Sequence, residues 1–104
     1  MTTFDDRENA FEAKFAHDAD MAFKALARRD KLVGAWAADL LGLTGDAVGA
    51  YQMAVISANL EEEGDGDVVR KLVKDLDGKA TEAEIRTKLA TTMIEVKDKM
   101  LREG

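Results

Sequence analysis

Four places in this sequence hold residues able to do chemistry. The first is His17, the only histidine. Nucleophilic catalysis would need a Ser or Cys with a positioned base, and nothing around His17 has that signature. One imidazole among scattered carboxylates is equally weak as a zinc site, so the simpler reading is a helix-end or surface residue. The second is Glu61-Glu62-Glu63-Gly64-Asp65-Gly66-Asp67, with five acids in seven residues. An EF-hand loop begun at Glu61 puts Gly66 at its sixth position and Val68 at its eighth. The twelfth falls on Leu72, where calcium needs a bidentate Glu. A solvated turn that ends one helix and caps the next explains the run better, and no metal ligands are assigned. The third is Arg28-Arg29-Asp30-Lys31, a compact basic group able to hold an anion such as phosphate. The competing reading is a solvated helix surface whose long stems cover apolar neighbours. No Gly-rich phosphate loop accompanies it. The fourth is the pair Trp36 and Tyr51, either of which offers a ring to a planar ligand. Core packing with the polar tip near water is the simpler role for both.

No constellation supports an enzyme. A different pattern stands out at the start of the chain: Phe4, Phe11, Phe15 and Phe23 are all of its phenylalanines. If the first twenty residues are helical, Phe4, Phe11 and Phe15 recur at seven and four and form one narrow stripe. Asp5, Asp6, Arg7, Glu8, Glu12 and Lys14 fall mostly around it. Thr3 can cap such a helix, with acids in its first turn. The stripe either packs on the rest of the protein or anchors the segment in a groove on another protein. A helix this short is marginal alone, so ordering on binding fits the second reading. Phe23 is expected to belong to the folded body.

The elements that must position these groups are helices. The chain has 104 residues and no proline, and its glycines cluster at Gly42 and Gly45, at Gly64 and Gly66, and at Gly78. Between them run Ala, Leu, Lys, Glu and Arg, which favour helix, with no alternation typical of strands. Thr81-Glu82-Ala83-Glu84 is a capping box. Ile85, Leu89, Met93, Val96 and Met100 then share one face. Val68, Val69, Leu72, Val73 and Leu76 mark a helix over about 66–77. Another runs from Gly45 or Asp46 to about Glu62, with Val48, Tyr51, Val55, Ile56 and Leu60 on its apolar side. A fourth ends at Leu41-Gly42, with Leu26, Val33, Ala37 and Leu40 inward. Four such helices on short turns can bury their stripes only against one another, which predicts an all-α, small four-helix bundle. The expected division is residues 1–18, an amphipathic helix or flexible segment, ahead of a bundle over 19–104.

Charge narrows the partners. The formal net charge of -6 disfavours nucleic acid, whose binding depends on neutralising phosphates. No apolar run is long enough to cross a membrane. The first residues are acidic where a signal peptide would be basic, so the mature chain is expected to be the whole chain. Without cysteine there is no disulfide framework, which is compatible with a reducing cytoplasm.

Several stretches together resemble one family: TTFDDRE and EAKFAHD, then ARRDKL-x-G-x-WAADLLG-x-TG, then DV-x-RKL-x-x-DL-x-GKA. The pattern is similar to the zeta subunit of the alphaproteobacterial F-type ATP synthase and spans essentially the whole chain. The resemblance implies a four-helix bundle that inhibits ATP hydrolysis and works at the membrane-bound synthase from the cytoplasmic side. It also implies that the N-terminal segment enters the catalytic head at an alpha/beta interface near the rotor, and that the bundle binds ADP or ATP. Carried onto this sequence, the inhibitory stretch is Thr2 to about Asp18, with Phe4, Phe11 and Phe15 as apolar anchors. Asp5, Asp6, Arg7, Glu8, Glu12 and Lys14 set its register. For the nucleotide, Arg28, Arg29 and Lys31 are the expected phosphate end, with Trp36 for the base. The alternative is a small nucleotide-binding module that senses energy state.

Overall fold

A computed structural model describes Ala10, Ala13, residues 18–60 and residues 65–103. Phe4, Asp5, Asp6, Arg7, Glu8, Phe11, Glu12, Lys14, Phe15 and His17 lie outside the described residues, as do Glu61, Glu62, Glu63 and Gly64. Among the described residues the regular elements are four helices: α1 (Ala19–Leu40), α2 (Asp46–Leu60), α3 (Gly66–Asp75) and α4 (Glu82–Glu103). The fold is an all-α four-helix bundle. α1 packs against α2 and α4, and α3 closes the ring by packing against the same two helices.

Local chemistry sets the helix ends. Asp18 precedes α1 with extended backbone, and its side chain accepts from the Met21 N–H at 3.1 Å. At the other end Gly42 has φ +77°, a conformation that costs a glycine little. Gly42 N–H then reaches Asp39 O at 3.0 Å, and Leu43 N–H reaches Ala38 O at 2.9 Å. These two bonds satisfy carbonyls the helix leaves open, in the Schellman arrangement. The capping box at α4 forms as expected: Glu84 N–H donates to Thr81 Oγ1 at 3.1 Å, and Thr81 N–H donates to Glu84 Oε1 at 2.9 Å.

The buried apolar side chains form two clusters. The larger joins Val33 and Ala37 of α1, Val55 of α2, Val68, Val69 and Leu72 of α3, Leu76 just beyond it, and Ile85 and Leu89 of α4. Trp36 and Tyr51 pack against its edge. The smaller holds Ala25 of α1 with Val96 and Met100 of α4, flanked by Met21, Met93 and Leu101. Two stripes differ in detail from the periodicity. On α4 it is Thr92 that is buried, while Met93 is half-buried. On α1 the buried set is Ala25, Arg29, Asp30, Val33, Gly34, Ala37 and Ala38, with Leu26 only half-buried.

Gly34 explains how closely α1 and α2 approach. A Cβ at this position would stand 3.0 Å from Gln52 Cα. A mid-helix glycine lowers helix stability by about 1 kcal/mol relative to alanine, and the backbone-to-backbone contact is what it makes room for. Gln52 secures the same crossing by donating from Nε2 to Lys31 O at 2.9 Å.

Candidate functional site

Four consecutive charged residues of α1 divide between its surface and its interior, Arg28 and Lys31 outward and Arg29 and Asp30 inward, as a turn of 100° per residue allows. Arg28 reaches across the surface to the end of α4, where Nη1 donates to Glu103 Oε1 at 2.6 Å. The bond to Glu103 raises the guanidinium pKa, and the bond from Arg28 holds the Glu103 carboxyl below its ordinary range. Both groups are well exposed, so the pair contributes little to stability. Lys31 is exposed, and its carbonyl takes the Gln52 bond.

Arg29 and Asp30 turn inward. Their side chains are 3% and 1% exposed. Arg29 donates from Nε and Nη2 to Asp30 Oδ1 at 3.0 and 2.8 Å. Its Nη1 donates to Asp65 Oδ2 at 3.0 Å, across a sequence separation of 36. Burial works against the Arg29 charge, but the bonds to Asp65 and Asp30 outweigh it and hold its pKa above the usual value. Burial pushes the Asp30 carboxyl above its usual range, and the Arg29 charge offsets only part of that. Asp30 Oδ2 finds no hydrogen-bond partner among the described residues. Asp65 occupies the capping position of α3 yet makes no side-chain cap bond. The acidic turn was expected to cap that helix; its Asp65 carboxylate instead neutralises Arg29.

The four residues read as a nucleotide site therefore do not converge on one cavity. Arg28 and Lys31 line a cleft of about 400 Å³ between α1, α2 and α4, with Leu32, Gln52, Val96, Lys99 and Glu103. Arg29 lies at the wall of a second cleft of about 410 Å³, whose rim carries Arg86 and Lys97. Trp36 lines a third, with Lys88 over its ring at 5.8 Å from the centroid. Tyr51 is part of the frame: its hydroxyl donates to Asp75 Oδ2 at 2.8 Å, and Lys71 donates to the same oxygen at 2.9 Å. Burial and the Asp75 carboxylate raise the Tyr51 pKa well above its ordinary value. Lys99 is the residue that sequence reasoning missed in the first cleft. It sits on the exposed side of α4, and only the docking of α4 on α1 brings it beside Arg28 and Lys31.

Phe23 belongs to the folded body, on the first turns of α1, but on its surface, where it stands 51% exposed. Among the described residues neither buried cluster contains a phenylalanine.

Comparison with known proteins decides the affiliation. Residues 1–99 match the family ATPase inhibitor subunit zeta. The chain belongs to that family. A protein solved by solution NMR superimposes on this one with a TM-score of 0.72 and shares 48% sequence identity, over 81% of this chain and 99% of its own. No curated protein matches the sequence. Family membership makes this a regulatory subunit of the ATP synthase, acting on ATP hydrolysis through contact with that enzyme. No helix among the described residues is long and apolar enough to cross a membrane.

Proposed function

We propose that the protein inhibits ATP hydrolysis by inserting residues 2 to about 18 at a catalytic interface of the synthase head, beside the rotor. One observation carries this reading. Phe4, Phe11 and Phe15, three of the chain's four phenylalanines, recur at spacings of seven and four within an acidic first segment. Rings on one narrow stripe of such a segment suit anchoring in a groove on a partner. The family match includes this segment, since it begins at residue 1. The bundle over 19–104 is then a carrier that stays outside the interface. Rotary hydrolysis needs each catalytic interface to open and close around the rotor. A helix wedged at one of them stabilises one rotational state, and its binding free energy adds to the barrier of the next step. No bond is made or broken by the inhibitor, and it works peripherally on the membrane-bound enzyme at its cytoplasmic face.

The test is removal of residues 1–17, keeping Asp18 because it caps α1. ATP hydrolysis by the synthase is titrated with the full chain and the truncated one. The truncated chain is expected to keep its helical circular dichroism and its melting midpoint and to lose inhibition. Undiminished inhibition without residues 1–17 would place the effector in the bundle.

A second reading, regulation by ADP or ATP on the bundle, is favoured by one feature. The cleft between α1, α2 and α4 gathers three cations, Arg28, Lys31 and Lys99, against a single acid. Phosphate oxygens bound there compete with Glu103 for Arg28. Glu103→Gln is therefore expected to tighten ATP and ADP binding by a few-fold, and Lys99→Ala to weaken it by about tenfold, or roughly 1.4 kcal/mol. Calorimetric titration with ATP, ADP and bare phosphate measures both. If neither variant changes affinity, the phosphates are held elsewhere. A nucleotide that binds two conformers of the bundle unequally would bias release of the segment. Equal inhibition with and without saturating nucleotide would remove that coupling.

A further inference from the structure

We propose that Arg29 and Asp65 form a strap across the bundle that is exchangeable for a helix cap. Tied to Arg29, Asp65 fastens the start of α3 to α1; released, it caps α3 instead. Three observations carry this. First, the tie joins helices that are not neighbours in the ring. α1 and α3 lie diagonally, each packed chiefly on α2 and α4, and Arg29 Nη1 donates to Asp65 Oδ2 at 3.0 Å. One end is fixed, because Arg29 is 3% exposed and its Nε and Nη2 are held by Asp30 Oδ1. The other end can leave: Asp65 is 44% exposed and lines the same cleft as Arg29. Second, the bundle holds an internal comparison. Asp18 occupies at α1 the position that Asp65 occupies at α3. Asp18 has ψ +94° and accepts from the N–H of Met21, three residues on. Asp65 has ψ +4° and makes no side-chain cap bond. The carboxylate drawn to an arginine is the one that does not cap. Third, α3 has a use for the cap. It is 10 residues long and opens on Gly66, a poor helix former, and short helices depend on their ends.

Both states keep the interior. Val68, Val69 and Leu72 hold α3 in the larger cluster whichever partner Asp65 takes, and the Arg29–Asp30 pair is common to both. What changes is the backbone before the helix. A capping residue takes extended backbone, so ψ of Asp65 moves from +4° toward the +94° found at Asp18. The exchange of partners is therefore a hinge at the start of α3. It trades one charge-assisted hydrogen bond for another, from a guanidinium to helical N–H groups. Neither the inhibitory reading nor the nucleotide reading is needed for it.

The experiment is amide hydrogen exchange and proton chemical shift at Asp67 and Val68, the two N–H groups that a cap at Asp65 would engage. The full chain is compared with Arg29→Met/Asp30→Leu, which removes the tie, and with Asp65→Ser, which cannot hold Arg29 but can cap and leaves the buried pair untouched. In both variants one or both amides are expected to exchange about fivefold more slowly than in the wild type, the factor that a typical cap confers, and to move downfield. Adding Asp65→Ala to Arg29→Met/Asp30→Leu is expected to abolish the slowing. An ordinary ion pair predicts the reverse, since breaking it loosens the start of α3. Unchanged or faster exchange in Arg29→Met/Asp30→Leu overturns the proposal, as does slowing that survives Asp65→Ala. If Arg29→Met/Asp30→Leu does not fold, Asp65→Ser decides alone: without slowing there, this backbone does not accept a cap and the exchange does not exist.

Discussion

Replacing Arg29 with methionine is expected to cost about 3–5 kcal/mol of folding stability, the largest effect of any single change at the charged stretch of α1. Among the described residues Arg29 is the cation bonded to Asp30, which is 1% exposed. Without it a carboxylate remains in the interior with no charge to face. Asp65 suffers less, because its side chain is 44% exposed and water can solvate it. For a domain near this size the loss lowers the melting midpoint by about 15 °C or more. The double replacement Arg29→Met/Asp30→Leu is expected to recover most of that. Two apolar side chains of similar volume are often as stable as the buried pair they replace. The pH dependence has a definite sign. The Asp30 pKa is raised by burial. An ionised carboxylate with a raised folded pKa destabilises the fold above that pKa and ceases to do so as the pH falls through it. Loss of Arg29 raises it further. The deficit of Arg29→Met is therefore greatest near neutral pH and shrinks on acidification. Urea melts of both variants and the wild type at neutral and mildly acidic pH measure this. A single variant no less stable than the wild type would mean that Asp30 is solvated.

Phe11→Ala/Phe15→Ala is expected to weaken inhibition of ATP hydrolysis by about a hundredfold or more while leaving the melting curve of the bundle unchanged. Each ring buried at a partner contributes on the order of 1.5–3 kcal/mol before ordering costs. Two rings lost together exceed about 2.8 kcal/mol, which is two decades in affinity. The contrast between the readouts is what carries the test. A ring packed on the bundle would change the melt as well as the inhibition. A ring used only at the interface changes inhibition alone. Hydrolysis titrations and thermal circular dichroism on the same preparations separate the two, and a lowered midpoint with unaltered inhibition would return these rings to the bundle.

The helices were legible because their signals are local. The capping box at Thr81–Glu84 and the turns at Gly42 and Gly78 need only neighbours in sequence, and they sit where the pattern puts them. The buried pair was not legible. Four charged residues in a row read as a wet surface, although 29 and 30 lie four and three positions before Val33 and so continue its face. What makes their burial tolerable is Asp65, which no local rule links to them. The clefts escaped for the same reason: Lys99 joins Arg28 and Lys31 only through helix docking. That Phe23 belongs to the bundle was legible, but its exposure was not: among the described residues methionine, valine, alanine and leucine fill that end of the bundle instead.

Division of the interior into two clusters has a consequence for how the molecule opens. The larger cluster draws on all four helices. The smaller draws only on α1 and α4, the two ends of the described chain. Detaching the first turns of α1 from the last turns of α4 exposes little apolar surface and leaves the larger cluster intact. Such partial openings lie well below the free energy of complete unfolding. Amide protons around Met21–Ala25 and Val96–Met100 are therefore expected to exchange with solvent as one cooperative unit, faster than those around Leu72 and Ile85, which native-state hydrogen exchange measures. On the inhibitory reading proposed above, the point where the segment would join the bundle is thus a breathing end, able to re-aim it while the rest of the bundle stays folded.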